Sequence, residues 1–317
     1  MKQFITIDDF EDVNFAIKET LNLKNNYLNN KKSYENTNRT LGMIFFNPSL
    51  RTRLSTQKAA HNIGLKTMIM NFSNEAWALE FENGTKMSGL RSEHIKEAAA
   101  VISEYCDMLA IRAFASLNNK EKDESEVIIK SFLKYSKIPI INMESATAHP
   151  LQALADAITI IENKSKKRPK VLLTWAPHPK ALPQAVPNSF VKIMKHMDVE
   201  LSITQPKEFE LNPIITKDIK LYHNQSEAFK DVDFVYAKNW SSYKNYGHIS
   251  KGNDDWIINK EKMNLTNDAK FMHCLPIRRN IVASDEVLDN KNSLVIKQAE
   301  NRIYSAQYVI EKLLKNE

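Results

Sequence analysis

The chain has 317 residues, 43% of them hydrophobic and 26% charged, with a formal net charge of +6. That length suits two domains, that composition excludes extended disorder, and no apolar run approaches the roughly 20 residues needed to span a bilayer. The positive charge admits a nucleic-acid binder or a protein that handles small anions. The second is preferred, because the basic runs Lys31-Lys32 and Lys164-Ser165-Lys166-Lys167-Arg168 read as solvated turns without interleaved aromatics.

No charged-then-apolar pattern follows Met1, and the two cysteines, Cys106 and Cys274, are too few for a disulfide framework. A reducing cytoplasm is therefore expected, with no membrane and no nucleic acid as partner. The first predicted strand, 41–47, runs into Asn47-Pro48-Ser49-Leu50-Arg51-Thr52-Arg53, where a helix predicted over 52–63 opens. A strand at 67–71 leads to a polar loop, 73–86, that carries Trp77. A helix over 93–105 and a strand over 107–111 come next, with Arg112 just beyond that strand. Helix 125–135 and strand 138–142 precede Glu144 and then His149-Pro150-Leu151-Gln152, which starts a helix over 151–163.

After the basic turn at 164–168 the strand–helix rhythm resumes. Strand 171–175 enters a segment, 175–187, with four prolines and His178; it reads either as a bland linker or as a rigid, shaped loop, and four fixed φ angles favour the loop. A helix over 189–196 and a strand over 200–204 follow. The strand at 234–237 ends at Lys238, the strand at 270–273 enters His273-Cys274-Leu275-Pro276, and the last helix, 299–314, carries Arg302. This alternation predicts an α/β fold of two doubly wound parallel-sheet domains joined by helices. The expected domains are 1–148 and 149–299, with a C-terminal helix over 300–317 packed back on the first. Nearly all the polar clusters follow predicted strands, and open α/β sheets bind ligands beyond the carboxyl ends of their strands.

The turn at Ser49–Arg53 has a direct chemical reading. Backbone N–H groups at a helix start favour an anion. Ser49 and Thr52 add hydroxyls, and Arg51 and Arg53 add planar forks that match phosphate oxygens. An N-capped helix with surface arginines is the bland alternative. A nicotinamide dehydrogenase is disfavoured, because the chain has only six glycines and no Gly-x-Gly-x-x-Gly after any strand. A basic, non-catalytic binding protein is the remaining rival from another class. No metal-ligand spacing is present, so neither metal nor cofactor is expected.

Ser49-Leu50-Arg51-Thr52-Arg53 resembles the Ser-x-Arg-Thr-Arg signature of the aspartate/ornithine carbamoyltransferase family. His149-Pro150-Leu151-Gln152 is similar to that family's His-Pro-x-Gln, and His273-Cys274-Leu275-Pro276 to the His-Cys-Leu-Pro of its ornithine branch. Arg112 and Arg302 match single family arginines. The resemblance spans essentially the whole chain. It implies transfer of a carbamoyl group from carbamoyl phosphate to a primary amine by direct attack, in arginine biosynthesis. Arg112, His149 and Thr52 would be catalytic, contacting the carbonyl oxygen on which charge grows. Ser49, Leu50, Arg51, Trp77, Pro150, Leu151, Gln152, Cys274, Leu275 and Arg302 would complete the carbamoyl phosphate site, Gln152 and the backbone around Cys274-Leu275 holding the NH2. The attacking amine, with an ordinary pKa of about 10.4, would have to lose a proton, and the acceptor of that proton is not evident. The resemblance also implies a homotrimer with shared active sites and a knotted proline-rich loop.

For the amine acceptor, the chain lacks the Ser-Met-Gly segment of plain ornithine carbamoyltransferases. Trp77, Glu144, Trp175-Ala176-Pro177-His178-Pro179, Lys238-Asn239-Trp240 and Arg278-Arg279-Asn280 resemble the N-acylornithine branch instead. There Glu144, His178, Lys238, Arg278 and Ser92 would surround the substrate. Acylation removes the α-amino charge, which agrees with the missing segment. Ser92 matches neither the glutamate of acetyl-type enzymes nor the proline of succinyl-type ones. It would not repel a succinyl carboxylate, and Arg91 could help to bind it. N-succinylornithine is the favoured acceptor, with N-acetylornithine the alternative and free ornithine the less favoured one.

Overall fold

A computed structural model describes residues 1–29, 38–249 and 251–315, which leaves Lys31-Lys32 outside the described residues. The chain divides into two units. The first comprises Met1–Ser116, Glu121–Leu151 and the chain from Arg302 onwards, and the second Leu117–Lys120 and Gln152–Asn301.

The first unit is built on four parallel strands, β1 (Thr40–Phe45), β2 (Lys66–Asn71), β3 (Met108–Arg112) and β4 (Ile140–Glu144), in the order β2-β1-β3-β4. Every residue of β1, β3 and β4 is buried, which is why these strands read as mainly apolar runs, with the polar residues of β4 at Asn142 and Glu144, rather than as alternating ones. The edge strand β2 alternates exposed and half-buried residues. Ile44, Leu109, Ile111 and Ile140 pack with Ile95, Ala98 and Ala99 of α3 (Ile95–Tyr105) and with Ile129 and Phe132 of α4 (Val127–Tyr135). Gly42 has no room for a side chain, because a Cβ there would come within 2.6 Å of Leu109 Cδ2 and 2.7 Å of Cys106 Sγ. Preceding the sheet is α1 (Val13–Leu28), a helix the strand-and-motif reading omitted. Asp12 caps it through the Phe15 N–H, and Val13, Ala16, Ile17, Thr20 and Lys24 form its buried stripe. Between β1 and β2 lies α2 (Leu50–Asn62).

The second unit holds five parallel strands, β5 (Lys170–Trp175), β6 (Glu200–Thr204), β7 (Lys220–Tyr222), β8 (Phe234–Lys238) and β9 (Lys270–Met272), in the order β9-β8-β5-β6-β7. Neighbouring residues of β8 are buried on opposite faces. Val235 and Ala237 join a core with Leu172, Phe229, Ile258 and Phe271, while Tyr236 meets Phe190 edge-on at 4.5 Å. Phe190 belongs to α6 (Ala185–Met194). That helix begins four residues before its predicted start, and Pro187 sits in its first turn, where a missing N–H breaks no intrahelical bond. Two helices, α5 (Pro150–Asn163) and α7 (Val295–Leu314), run through the points where the chain passes from one unit to the other. Strand β7 and the two-residue pair Leu79–Glu80 with Glu93–His94 were not predicted; they are too short for a period to show. Among the described residues no helix is long and apolar enough to cross a membrane.

Candidate active site

In the first unit the chemistry gathers at the carboxyl ends of β1, β3 and β4. Arg112 is the last residue of β3 and pairs in register with Phe45 on one side and Glu144 on the other. The β3–β4 register shifts after Ile111: Ile111 faces Asn142, and Arg112 then faces Glu144. A bulge of this kind re-aims a side chain at a strand end, and here it sets a carboxylate beside a guanidinium. Arg112 Nη1 donates to Glu144 Oε2, and His149 Nε2 lies 3.3 Å from the same oxygen. The Arg112 guanidinium also lies 4.1 Å from the centre of the Phe114 ring.

Thr52 joins this group from α2. Its hydroxyl accepts from Arg302 Nη2 at 2.6 Å and from Arg112 Nη1 at 3.4 Å, and Thr52 is 1% exposed. Ser49 caps α2, its Oγ accepting from the Thr52 N–H at 3.2 Å. The cap therefore satisfies one of the first-turn N–H groups. Two guanidiniums that meet on one buried hydroxyl repel each other, and an anion placed beside them relieves that repulsion. Arg51 is half-buried, Leu50 is exposed, and the exposed Arg53 lies towards Glu75, whose carboxyl is lowered first by the Asn71 backbone and only weakly by Arg53.

The loop that delivers His149 is fixed by Glu126, which sequence reasoning passed over. Glu126 Oε1 accepts from Ser145 Oγ at 2.7 Å, from the Thr147 N–H at 2.8 Å and from Thr147 Oγ1 at 2.6 Å. Its backbone adopts a left-handed conformation just before α4. No local pattern marks it, because its partners lie some twenty residues away.

Trp77 and Ser92 lie on the same excursion of the first unit. Trp77 is 57% exposed, and its Nε1 donates to Glu93 at 2.7 Å. Ser92 is exposed, and its N–H donates to Ala78 O at 3.2 Å. Arg91 Nη1 donates to Glu80 Oε1 at 2.6 Å. Backbone donors hold that carboxylate in place, and they lower its pKa more than Arg91 does.

The second unit brings together two cations, Lys238 and Arg278, and the His178 ring beyond the ends of β8, β9 and β5. Lys238 ends β8 in register with Trp175. Ala176 N donates to Lys238 O at 3.1 Å, and Asn239 Nδ2 donates to Ala176 O at 2.8 Å. Trp175 Nε1 to Trp240 O, at 3.0 Å, and Gln184 Nε2 to Ser241 O, at 2.8 Å, pin the proline-rich segment to the same stretch. This segment carries His178, whose Nδ1 donates to Lys180 O at 2.9 Å and whose Nε2 accepts from Arg278 Nε at 3.3 Å. Burial lowers the His178 pKa, and the charges of Lys238, Arg278 and Lys180 lower it further against the Lys180 hydrogen bond. His178, Lys238 and Arg278 thus form one electropositive cluster. Glu144 lies in the first unit, held by Arg112 and His149.

Gln152 begins the second unit's share of α5 and is buried, as is Cys274. Leu275 has a φ of 55°, is joined to Pro276 by a cis bond, and donates its N–H to His273 Nδ1 at 2.8 Å. Pro150 and Leu151 occupy the first positions of α5 in the first unit. Both cysteines are buried, and burial pushes the Cys106 thiol up. Among the described residues no group of three or more His, Cys, Asp or Glu side chains could hold a metal ion.

Residues 2–162 match the carbamoyl-P binding domain of aspartate/ornithine carbamoyltransferase, and residues 183–313 match its Asp/Orn binding domain. The chain is 46% identical over 318 residues to an N-succinylornithine carbamoyltransferase of Bacteroides fragilis, covering 100% of this chain and 99% of that one. Two crystal structures of N-acetyl-L-ornithine transcarbamylase are also similar, each 33% identical and covering 99% of this chain and 100% of theirs, with TM-scores of 0.92 and 0.91. Both are variants in which one glutamate is replaced, by alanine in the first and by serine in the second. Both are complexed with carbamyl phosphate and N-succinyl-L-norvaline.

Proposed function

The chain belongs to the aspartate/ornithine carbamoyltransferase family, and from that premise we propose that it carries the carbamoyl group of carbamoyl phosphate to the side-chain amine of N-succinyl-L-ornithine. The products are N-succinylcitrulline and phosphate, and the setting is arginine biosynthesis in the cytoplasm. The observation that carries the donor half is the meeting of Arg112 and Arg302 on the Thr52 hydroxyl. That hydroxyl accepts from two guanidiniums, so its own hydrogen is left to donate.

In this reading Arg112, His149 and Thr52 contact the carbonyl oxygen, whose charge grows as the amine attacks. Donors fixed before the reaction lower that barrier. Glu144 holds the Arg112 fork in place. Ser49, Leu50, Arg51, Thr52 and Arg302 receive the phosphate, with Trp77 reaching the site of a neighbouring subunit in a homotrimer. Gln152 and the backbone at Cys274 and Leu275 hold the NH2. The leaving phosphate is the candidate proton acceptor.

The acceptor half rests on the His178, Lys238 and Arg278 cluster. An acylated ornithine has lost its α-amino charge and presents carboxylate, which the Lys238 and Arg278 cations suit. Ser92 supports succinyl over acetyl, since an acetyl-type enzyme takes a succinyl ligand when one glutamate gives way to alanine or serine. The test is a carbamoyl phosphate assay with ornithine, N-acetylornithine and N-succinylornithine in turn. Turnover is expected with the succinyl compound. Efficient use of free ornithine would sink the acyl reading, and a preference for N-acetylornithine would sink the succinyl one.

A further inference from the structure

Behind Gln152 in the second unit lies a polar cluster that the chemistry above does not use. Asp156 is fully buried, four residues after Gln152 on the same face of α5. Its Oδ1 accepts from Gln152 Nε2 at 2.7 Å and from Gln298 Nε2 at 2.7 Å. Gln298 in turn offers its Oε1 to the His273 N–H at 2.9 Å, so one carboxylate supports both Gln152 and the backbone that leads into Cys274. Tyr236 stands against the same group. Burial, with Asp156 and Cys274 beside it, pushes its phenol well above the ordinary value and keeps it protonated.

A carboxylate only accepts hydrogen bonds, so any amide that faces it must present its NH2. Gln152 turned the other way would set two buried acceptor oxygens against each other. The consequence falls on the opposite end of the amide. Gln152 Oε1 is buried, and among the described residues nothing donates to it. A buried acceptor that lacks a donor is a binding position for an N–H group.

We propose that Asp156 is a positioning residue that locks the Gln152 amide with its oxygen outward, so that Gln152 accepts from the NH2 of the carbamoyl group. This rests on the carbamoyl phosphate reading above. Without Asp156 the amide is free to turn, and its NH2 then opposes the NH2 it should receive. Gln298 carries the same constraint to His273 and Cys274, so one buried charge sets the polarity of both second-unit contacts assigned to the donor.

The inference is tested by calorimetric titration of the full chain with carbamoyl phosphate and, separately, with inorganic phosphate, which has no NH2. Asp156→Asn and Gln152→Ala should each weaken carbamoyl phosphate by about tenfold relative to phosphate. The double variant should lose no more than either alone, because both act through one contact. Equal weakening of the two ligands, or no weakening, overturns the proposal. If Asp156→Asn does not fold, the wild-type chain with 15N in its glutamine side chains gives a second readout. The Gln152 NH2, identified by its loss in Gln152→Ala, should be protected from exchange before and after carbamoyl phosphate is added. Loss of that protection on binding overturns the proposal. A wild-type chain that binds phosphate but gains nothing from the carbamoyl group fails the donor reading itself, and Asp156 with it.

Discussion

Arg112 carries two duties that pull on a substitution in different directions. It presents a fork to the carbonyl oxygen in the proposed reaction, and it neutralises the buried carboxylate of Glu144. Truncation to alanine strands that carboxylate and is expected to destabilise the fold by several kcal/mol. Arg112→Lys keeps the charge and loses the fork. It should fold, and its kcat should fall by about 10²–10³-fold. Wild-type steady-state rates in that variant would remove Arg112 from the chemistry. Ser92→Glu brings a negative charge towards the expected succinyl carboxylate. The ratio of kcat/KM values should move towards the acetyl substrate by about tenfold, or about 1.4 kcal/mol, and an unchanged ratio would place the selective contact elsewhere. His178 supplies a pH signature. Its pKa is depressed in the folded chain, chiefly by burial, so below about pH 6.5 the unfolded chain binds more protons than the folded one. Its stabilising contribution is present above that pH and is lost as the pH falls towards the depressed value. His178→Gln should therefore show a smaller drop in Tm than wild type between about pH 7.5 and about pH 5.5, and the half-exposed ring keeps the difference small. Equal drops in the two proteins would mean that this histidine is not the group responsible.

Among the elements, β1 is the most constrained. A methyl group at Gly42 would press on Leu109 and Cys106 in the middle of the sheet. Gly42→Ala is expected to cost about 1–3 kcal/mol, read as a lower Tm with unchanged KM for carbamoyl phosphate; a Tm equal to wild type would show that the neighbours yield. The central strands were legible in the sequence because parallel sheets bury both faces and leave continuous apolar runs. Helix α1 was not, although its stripe at Val13, Ala16, Ile17, Thr20 and Lys24 is regular. Two of those five buried positions are a threonine and a lysine, so the apolar signal is thin. The motif residues of the expected site entered through the family resemblance that their spacing carries. Glu126, Asp156 and Gln298 were not, since each acts by orienting a motif residue and carries no motif of its own. Only the four-residue step from Gln152 to Asp156, a carboxylate in an apolar helix, offered a clue.

At the scale of the whole molecule, the apolar and aromatic surface of the first unit has a stated use. Trp77 and Leu90, the latter 96% exposed, stand on one excursion of that unit. In the proposed homotrimer both side chains would face a neighbouring copy. Light scattering should then give a mass of three times 36.5 kDa, and Trp77→Ala should lower turnover more than it lowers Tm. A monomeric wild-type mass with full activity would rule out a shared site. The register shift between Ile111 and Arg112 has a bearing of another kind, on which lesions a gene for this chain tolerates. A conservative exchange at Met143 alters packing alone. Loss or gain of one codon between Asn142 and Glu144 would change the count that brings Glu144 opposite Arg112, and one between Glu144 and His149 would change the loop that carries His149 to the same oxygen. Length, more than composition, is what this stretch of coding sequence must preserve.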